Sequence, residues 1–523
     1  MSSCNSSVIN SPIIEGVIVL SISTQLVANY DRLVTPMYYP NHDGLDVKNA
    51  SFCNVTVSYT RQQQDDFVSV ETWLPVNDWN GRLQAAGGSG LGPGRFDMSY
   101  GNMAGAIGEG YATTSTDAGI PNPLDPYSWV LEGPGKIDEV LVRHWGGDIL
   151  NDMANIAKSV IRDFYGRPPD YSYFNGCSQG GRQGFELAQN YPAAYDGIAA
   201  SAPAIHWAQW APAMFWPQIL MNLMNKYPHG CELDFLTALA VQECDGHDGV
   251  VDGIISNPKA CSFDPFPYVG TNFTCLIEHR SMELSRAAAV IANASWAGPT
   301  GPDGGFIWYG FNHGTELSGD STGMGVAATT CNNDTCKGNP IALGYQWIQL
   351  FIEKDPSYDY TTITQEDYEE MMRKSGTEYD SIVASSNPNL TEFHRIGGKM
   401  MTYHGLYDQV IPIQATEKYY DDISEFVPEV QDFYRFYEVP GLPHCSGNGQ
   451  PKTVFDALRA WVENGTLPRS LPVALVDSNG RTNDRIICPY PEQSVFVKEC
   501  GNPADAACFT CAASSNETVL PRG

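Results

Sequence analysis

The spacing of apolar residues changes character three times along the chain. Before residue 90 they cluster in short blocks rich in β-branched and aromatic side chains, at Phe52 to Tyr59 (FCNVTVSY), Phe67 to Leu74 (FVSVETWL) and Arg82 to Ala86. Such side chains pack well on a pleated surface, so these blocks predict strands. The third leads into Gly87-Gly88-Ser89-Gly90, a strand running into a glycine-rich loop. Between 137 and 165 the spacing lengthens, and its second half follows the helical period. A strand at Tyr171 to Asn175, a turn, and a helix from about Gln179 to Asn190 follow, with Tyr191-Pro192 stopping the helix. Strand, turn and helix in this succession predict a mostly parallel sheet.

Residues 206–390 break the pattern. They are rich in Trp, Phe, Pro, Gly and Cys and show no clear strand–helix alternation. Strand-like sequence resumes at Lys399 to His404 and Phe433 to Val439, and a helix is expected over Thr453 to Glu463. The expected fold is α/β: an α/β-hydrolase core with a mostly parallel sheet, built from residues 1–205 plus 391–523. A large inserted lid domain, 206–390, sits over the sheet edge. No internal repeat or low-complexity tract is visible.

Composition narrows the function classes. The chain has 523 residues, 42% hydrophobic and 17% charged, which describes a globular protein with ample core. Its net charge of −30 argues against nucleic acid or anionic lipid as partner. No run of about 18 apolar residues exists to span a bilayer. Ile13 to Leu20 contains Glu15 and lacks a basic flank, which makes a poor signal peptide. The chain is therefore expected to be a mature protein, beginning at Met1, whose signal has been removed. The 14 cysteines occur beside Asn-X-Ser/Thr acceptors at Asn5, Asn49, Asn54, Asn272, Asn293, Asn333, Asn389, Asn464 and Asn516. Together they point to an oxidising secretory route and a secreted protein carrying N-glycans.

Gly176-Cys177-Ser178-Gln179-Gly180 fits G-x-S-x-G between a predicted strand and a predicted helix. There a serine hydroxyl projects from a sharp turn, and the helix N-terminus favours developing negative charge. The backbone N–H of Gln179 can donate to an oxyanion, and the loop at 87–90, notably Gly88 and Ser89, offers the second donor. Asp408, in Tyr403-His404-Gly405-Leu406-Tyr407-Asp408, follows a predicted strand, where a carboxylate faces the ligand crevice. His444, in Gly441-Leu442-Pro443-His444-Cys445, follows the next strand. The chain order Ser178, Asp408, His444 is the one an α/β-hydrolase uses. His404 competes with His444 as base, but it lies within a strand and reads as structural.

With these residues in place the chain resembles the fungal tannase and feruloyl esterase family. The resemblance rests on CNVTV at 53–57, the segment from Trp79 to Gly90, GYATTSTDAG at 110–119, YFNGCSQGGRQG at 173–184 and YDGIAASAPA at 195–204. It continues through ECDGHDGVVDGII at 243–255, GGKMMTYHGLYD at 397–408, GLPHC at 441–445 and WVENG at 461–465. It is weakest between about 265 and 390.

The resemblance implies a disulfide between Cys177 and Cys445, holding Ser178 and His444 in register. It implies a structural calcium ion in the lid, held by the side chains of Asp245, Asp248 and Asp252 and the carbonyls of Val250 and Ile254. Oxygen ligands suit that hard cation, although the spacing departs from the EF-hand. Cys244 and Cys261 bracket this loop and are expected to pair. The other expected pairs are Cys4 with Cys53, Cys231 with Cys275, Cys331 with Cys336, and two bonds among Cys488, Cys500, Cys508 and Cys511. No organic cofactor is implied. The implied substrates are phenolic esters, feruloylated plant polysaccharide first and galloyl esters of tannins second. A serine peptidase of the same fold and a non-catalytic esterase-like binding protein are the competing readings.

Overall fold

The computed structural model describes residues 4–332 and 335–513. Met1 and the glycan acceptors Asn333 and Asn516 lie outside the described residues. The central sheet has nine strands: β1 (Val17–Val34), β2 (Leu45–Arg61), β3 (Val68–Pro75), β4 (Arg82–Ala86), β5 (Ala112–Thr116), β6 (Tyr171–Cys177), β7 (Gly197–Ser201), β8 (Lys399–Gly405) and β9 (Tyr434–Val439). Their order is β1-β2-β3-β5-β4-β6-β7-β8-β9. Pairings up to β3–β5 are antiparallel. From β5 to β9 every pairing is parallel. The fold is thus the mixed, mostly parallel sheet expected of an α/β-hydrolase.

Both faces of the parallel strands are covered, and the period of two shows which residue serves which face. Phe174, Ile198, Met400 and Phe436 join one core, which also takes Ile156, Val160, Ile161 and Phe164 of helix α2 (Leu150–Tyr165). Their neighbours Tyr173, Ala199, Met401 and Tyr437 point into the opposite core, against Val454, Phe455, Leu458 and Trp461. The last four form the apolar stripe of a helix at Val454–Asn464. In the parallel part of the sheet two strands escape notice in the sequence, β5 (ATTST) and β7 (GIAAS). Each is short, fully buried and built of small residues, so neither shows alternation. Helix α1 (Asp97–Gly108) was equally hard to see. It buries nearly all round, and Gly101 and Gly105 let Tyr38 and Tyr39 lie directly on its backbone.

Helix α3 (Gln179–Asn190) follows β6, and the long insertion leaves the sheet after β7. Within it the structure places α4 (Trp207–Ala213), α5 (Trp216–Met224), α6 (Gly230–Cys244), α7 (Arg286–Ala297) and α8 (Gln365–Val383). Long loops separate them, which hid their periodicity. Trp207, Trp210, Trp216, Trp347, Tyr368 and Tyr379 lie together in an aromatic core. Trp129 and Trp145, from the segment between β5 and α2, enter the same cluster. The packing unit therefore extends beyond residues 206–390. Helices α9 (Gln414–Phe426) and α10 (Val454–Asn464) complete the core. Two hairpins end the described chain: β10 (Leu471–Val476) with β11 (Thr482–Ile487), and β12 (Glu492–Phe496) with β13 (Phe509–Ala513).

All 14 cysteines are paired, in the combinations expected, with Cys488–Cys511 and Cys500–Cys508 as the last two bonds.

Candidate active site

Ser178 is the single residue between the end of β6 and the start of α3. Its backbone sits at φ 62° and ψ −121°, a conformation that costs a non-glycine residue on the order of 1–3 kcal/mol. The surroundings hold it there. Ser178 N–H donates to the Ser201 carbonyl at 3.1 Å, and the Ser178 carbonyl accepts from Arg182 N at 2.9 Å and Ala204 N at 3.1 Å. Close packing explains the flanking glycines. A Cβ on Gly176 would lie 2.5 Å from the Gly180 carbonyl carbon, and one on Gly87 would lie 2.7 Å from Gly180 Cα.

Arg182, which sequence reasoning passed over, locks the first turn of α3. It is fully buried, and its guanidinium donates to Gln179 Oε1, the carbonyls of Trp145 and Gly146, and Ser385 Oγ. Burial pulls its pKa down to about 10, so it remains charged at neutral pH. An arginine three residues into a helix after G-x-S-x-G was the available signal.

Asp408 and His444, 36 residues apart in sequence, meet at the C-terminal ends of β8 and β9. His444 Nδ1 lies 2.7 Å from Asp408 Oδ2, and His444 N–H donates to Gln409 Oε1 at 3.0 Å. Asp408 Oδ1 accepts from the N–H groups of Val410 and Ile411, each at 2.8 Å. His404 Nε2 approaches Oδ2 at 3.0 Å. Burial alone would raise the Asp408 pKa. The His444 charge and the hydrogen bond from His404 outweigh it and hold the carboxyl well below its ordinary range.

The Cys177–Cys445 bond joins the residue before Ser178 to the residue after His444, with Cα atoms 6.0 Å apart. Tyr403 Oη donates to the Cys445 carbonyl at 2.7 Å, fixing a residue whose φ is 62°. Serine turn, histidine loop and acid loop are thereby tied at one end of the sheet. Such an arrangement can run nucleophilic acyl transfer, with Asp408 orienting the imidazole.

The oxyanion donors expected from the glycine loop need correction. Gly88 N–H donates to Gln183 Oε1 at 2.8 Å, and Ser89 N–H donates to the Gly92 carbonyl at 3.0 Å. Both amides are already engaged, Gly88 with α3 and Ser89 within the loop itself, so neither is free to donate to an oxyanion. Gln179 opens α3, where a backbone N–H has no intrahelical partner.

The sequence profile of the tannase and feruloyl esterase family matches residues 53–512. The chain belongs to this family. A probable feruloyl esterase from Arthroderma benhamiae is 34% identical over 93% of this chain and 90% of its own length. A tannase from Aspergillus oryzae is 26% identical over 88% of this chain and 86% of its own. The solved tannin acyl hydrolase from Aspergillus niger superposes with a TM-score of 0.85 at 24% identity, covering 98% of this chain and 95% of that one, which shows a shared fold. As a member of this family the chain is a carboxylic ester hydrolase.

In the esterase, residues 245–256 fold into a tight loop after α6. Asp245 and Asp252 are buried. Asp245 Oδ1 accepts from Asp252 N–H and Ile254 N–H at 3.1 and 3.2 Å, and its Oδ2 from Gly253 N–H at 2.8 Å. Asp248 accepts from Val250 N–H and Ser256 N–H, and Asp252 from Ile254 N–H. Arg485 of β11 donates to Asp252 Oδ2 at 2.9 Å. Even so, burial and the neighbouring Asp248 and Asp245 push the Asp252 pKa up to about 6. Burial likewise raises that of Asp248. Three carboxylates with one guanidinium leave excess negative charge, and the oxygen donors suit a hard cation.

Among the described residues, the only set of three or more His, Cys, Asp or Glu ligand atoms lying within 4.8 Å of one another is His229, Cys231 and Cys275. Two of those sulfurs form a disulfide, so this set does not hold a metal. The loop also braces the acid, since Tyr407 Oη accepts from Ile255 N–H at 2.7 Å. Most of the large aromatic side chains of residues 206–390 are packed away from solvent. Trp207, Trp210, Phe215, Trp216 and Trp347 are buried in the aromatic core, whereas Phe306 is exposed.

Proposed function

We propose that this esterase is a secreted serine hydrolase of phenolic acid esters, with feruloyl esters of plant polysaccharide as its substrates. The observation that carries the mechanism is the His444–Asp408 bond clamped to the Ser178 turn by Cys177–Cys445. His444 removes the Ser178 proton as the hydroxyl oxygen adds to the ester carbonyl. The Gln179 N–H supports the oxyanion. His444 then returns the proton to the leaving alcohol, and water releases the acid from the acyl-enzyme by the same route. The Arthroderma relative, at 34% identity against 26% for the tannase, supports feruloyl over galloyl esters.

Residues 206–390 form the lid in this reading. Their departure from the sheet after β7, beside the Ser178 turn, supports it. Seven disulfides and the nine acceptor sites support an extracellular, N-glycosylated protein. No helix among the described residues is long and apolar enough to cross a membrane.

Methyl ferulate and methyl gallate, assayed side by side, test the substrate. Hydrolysis of ferulate with little turnover of gallate is the expected result. The reverse makes the enzyme a tannase, and turnover of neither removes the phenolic class.

Calcium belongs to the same reading, as a structural ion on Asp245, Asp248 and Asp252 with the Val250 and Ile254 carbonyls. When bound it would offset the negative charge of the three carboxylates and stiffen the loop that touches Tyr407. At calcium 100-fold above Kd the folded state gains about 2.7 kcal/mol, seen as a rise of a few degrees in Tm over the EDTA-treated protein. Asp252→Asn should abolish that rise. Identical melting of wild type in calcium and in EDTA would remove the ion.

A further inference from the structure

His404 lies on β8 with no exposed surface, four residues before Asp408. Its ring nitrogens have different neighbours, and those neighbours decide its proton. Nε2 is 3.0 Å from Asp408 Oδ2 and 3.1 Å from the Ile411 carbonyl oxygen. A carboxylate and a carbonyl only accept, so Nε2 carries the hydrogen. Nδ1 lies 3.0 Å from Thr416 Oγ1 on α9. In the neutral ring Nδ1 is an acceptor, and the Thr416 hydroxyl donates to it. Buried and engaged at both nitrogens, His404 has no free atom to offer a substrate.

We propose that His404 is a positioning residue for the hydrolytic reaction, acting through Asp408. The proposal rests on the reading of Asp408 as the acid that orients His444. A carboxylate has about four lone-pair sites, and here four donors take them. The Val410 and Ile411 amides hold Oδ1, while His444 Nδ1–H and His404 Nε2–H share Oδ2. The amides fix one oxygen to the loop but leave the carboxyl plane free to pivot about it. His404 removes that freedom. It is held from α9 by Thr416, so Oδ2 stays where His444 needs it. Orientation of this kind acts on the chemical step and not on substrate binding.

The test compares His404→Leu, His404→Gln and Thr416→Val with the wild-type full chain. The substrate is an activated aryl acetate, so that the outcome does not depend on the phenolic class. A misplaced catalytic group costs on the order of 10²-fold. His404→Leu should therefore lower kcat by about 10- to 100-fold and leave KM within about twofold. His404→Gln places an amide N–H near the same point and should recover most of kcat. Thr416→Val frees only the far end of the ring and should lower kcat by a smaller factor. Proton NMR adds a readout that a merely structural role would leave unchanged. The downfield signal of His444 Nδ1–H on Asp408 should persist in wild type and His404→Gln, and vanish in His404→Leu.

Full kcat in His404→Leu, or a reduced kcat with that signal intact, overturns the proposal. Should His404→Leu not fold, Thr416→Val decides: unchanged kcat and signal there also overturn it. Asp408→Asn on the same ester separates the two readings. If it stays active, the assignment of the acid has failed, whatever His404 does.

Discussion

Ser178→Ala is expected to lower kcat for every ester by about five to six orders of magnitude, the scale of losing the nucleophile of a triad. The structure makes this a clean experiment. Alanine keeps the Cβ, so it enters the φ 62° turn with no more strain than serine, and the Ser178 N–H and carbonyl bonds involve backbone alone. Melting should be unchanged. Ser178→Gly separates strain from chemistry: equally inactive, it should melt higher because the turn no longer forces a side chain through a left-handed conformation. A phosphonate warhead should label wild type once per chain, at Ser178, and leave both variants unlabelled. Activity in Ser178→Ala within tenfold of wild type would place the nucleophile elsewhere. Absence of labelling in wild type would favour the binding-protein reading.

Much of this site is legible in the sequence, for a physical reason. Acyl transfer on a parallel sheet needs a glycine-flanked serine after a strand, then an acid and a histidine at later strand ends. Each of these leaves a local mark, as in GCSQG at 176–180 or GLPHC at 441–445. Disulfide pairing left no such mark, and Cys177 with Cys445 came only through family resemblance. What the sequence hid were relations across distance. Gly88 and Ser89 looked like donors because glycines permit close approach. That approach serves instead to dock the loop on α3, with Gln183 taking the Gly88 amide. Arg182 drew no notice in the sequence, because the carbonyls of Trp145 and Gly146 that enclose it lie on a distant segment. His404 was visible only as a strand histidine, since its partner Thr416 lies on another element. The insertion was missed in detail because its helices bury aromatic residues on several sides, leaving no single stripe to read.

Asp408→Asn should cost roughly 10⁴-fold in kcat, the scale set by the corresponding change in a well-studied serine protease. The geometry here says why a nearly isosteric change is so damaging. Asparagine has one carbonyl oxygen and one NH2 in place of two equivalent oxygens. The Val410 and Ile411 N–H groups belong to the backbone and cannot turn away, so they demand the oxygen at the Oδ1 position. The NH2 must then occupy the Oδ2 position, facing His444 Nδ1 and His404 Nε2. Each histidine would have to accept at that nitrogen. His444 would move its proton to Nε2, the nitrogen that should take the proton from Ser178, and the base would be lost. His404 could not comply so easily, because the Ile411 carbonyl at 3.1 Å also requires a donor at its Nε2. The variant should therefore be less stable as well as inactive, with KM little changed because substrate contacts are untouched. Its Tm and kcat on one simple ester check both parts. Lost activity with unchanged melting would mean that His404 adapts to the amide. A kcat near wild type would mean that Asp408 does not set the His444 tautomer at all.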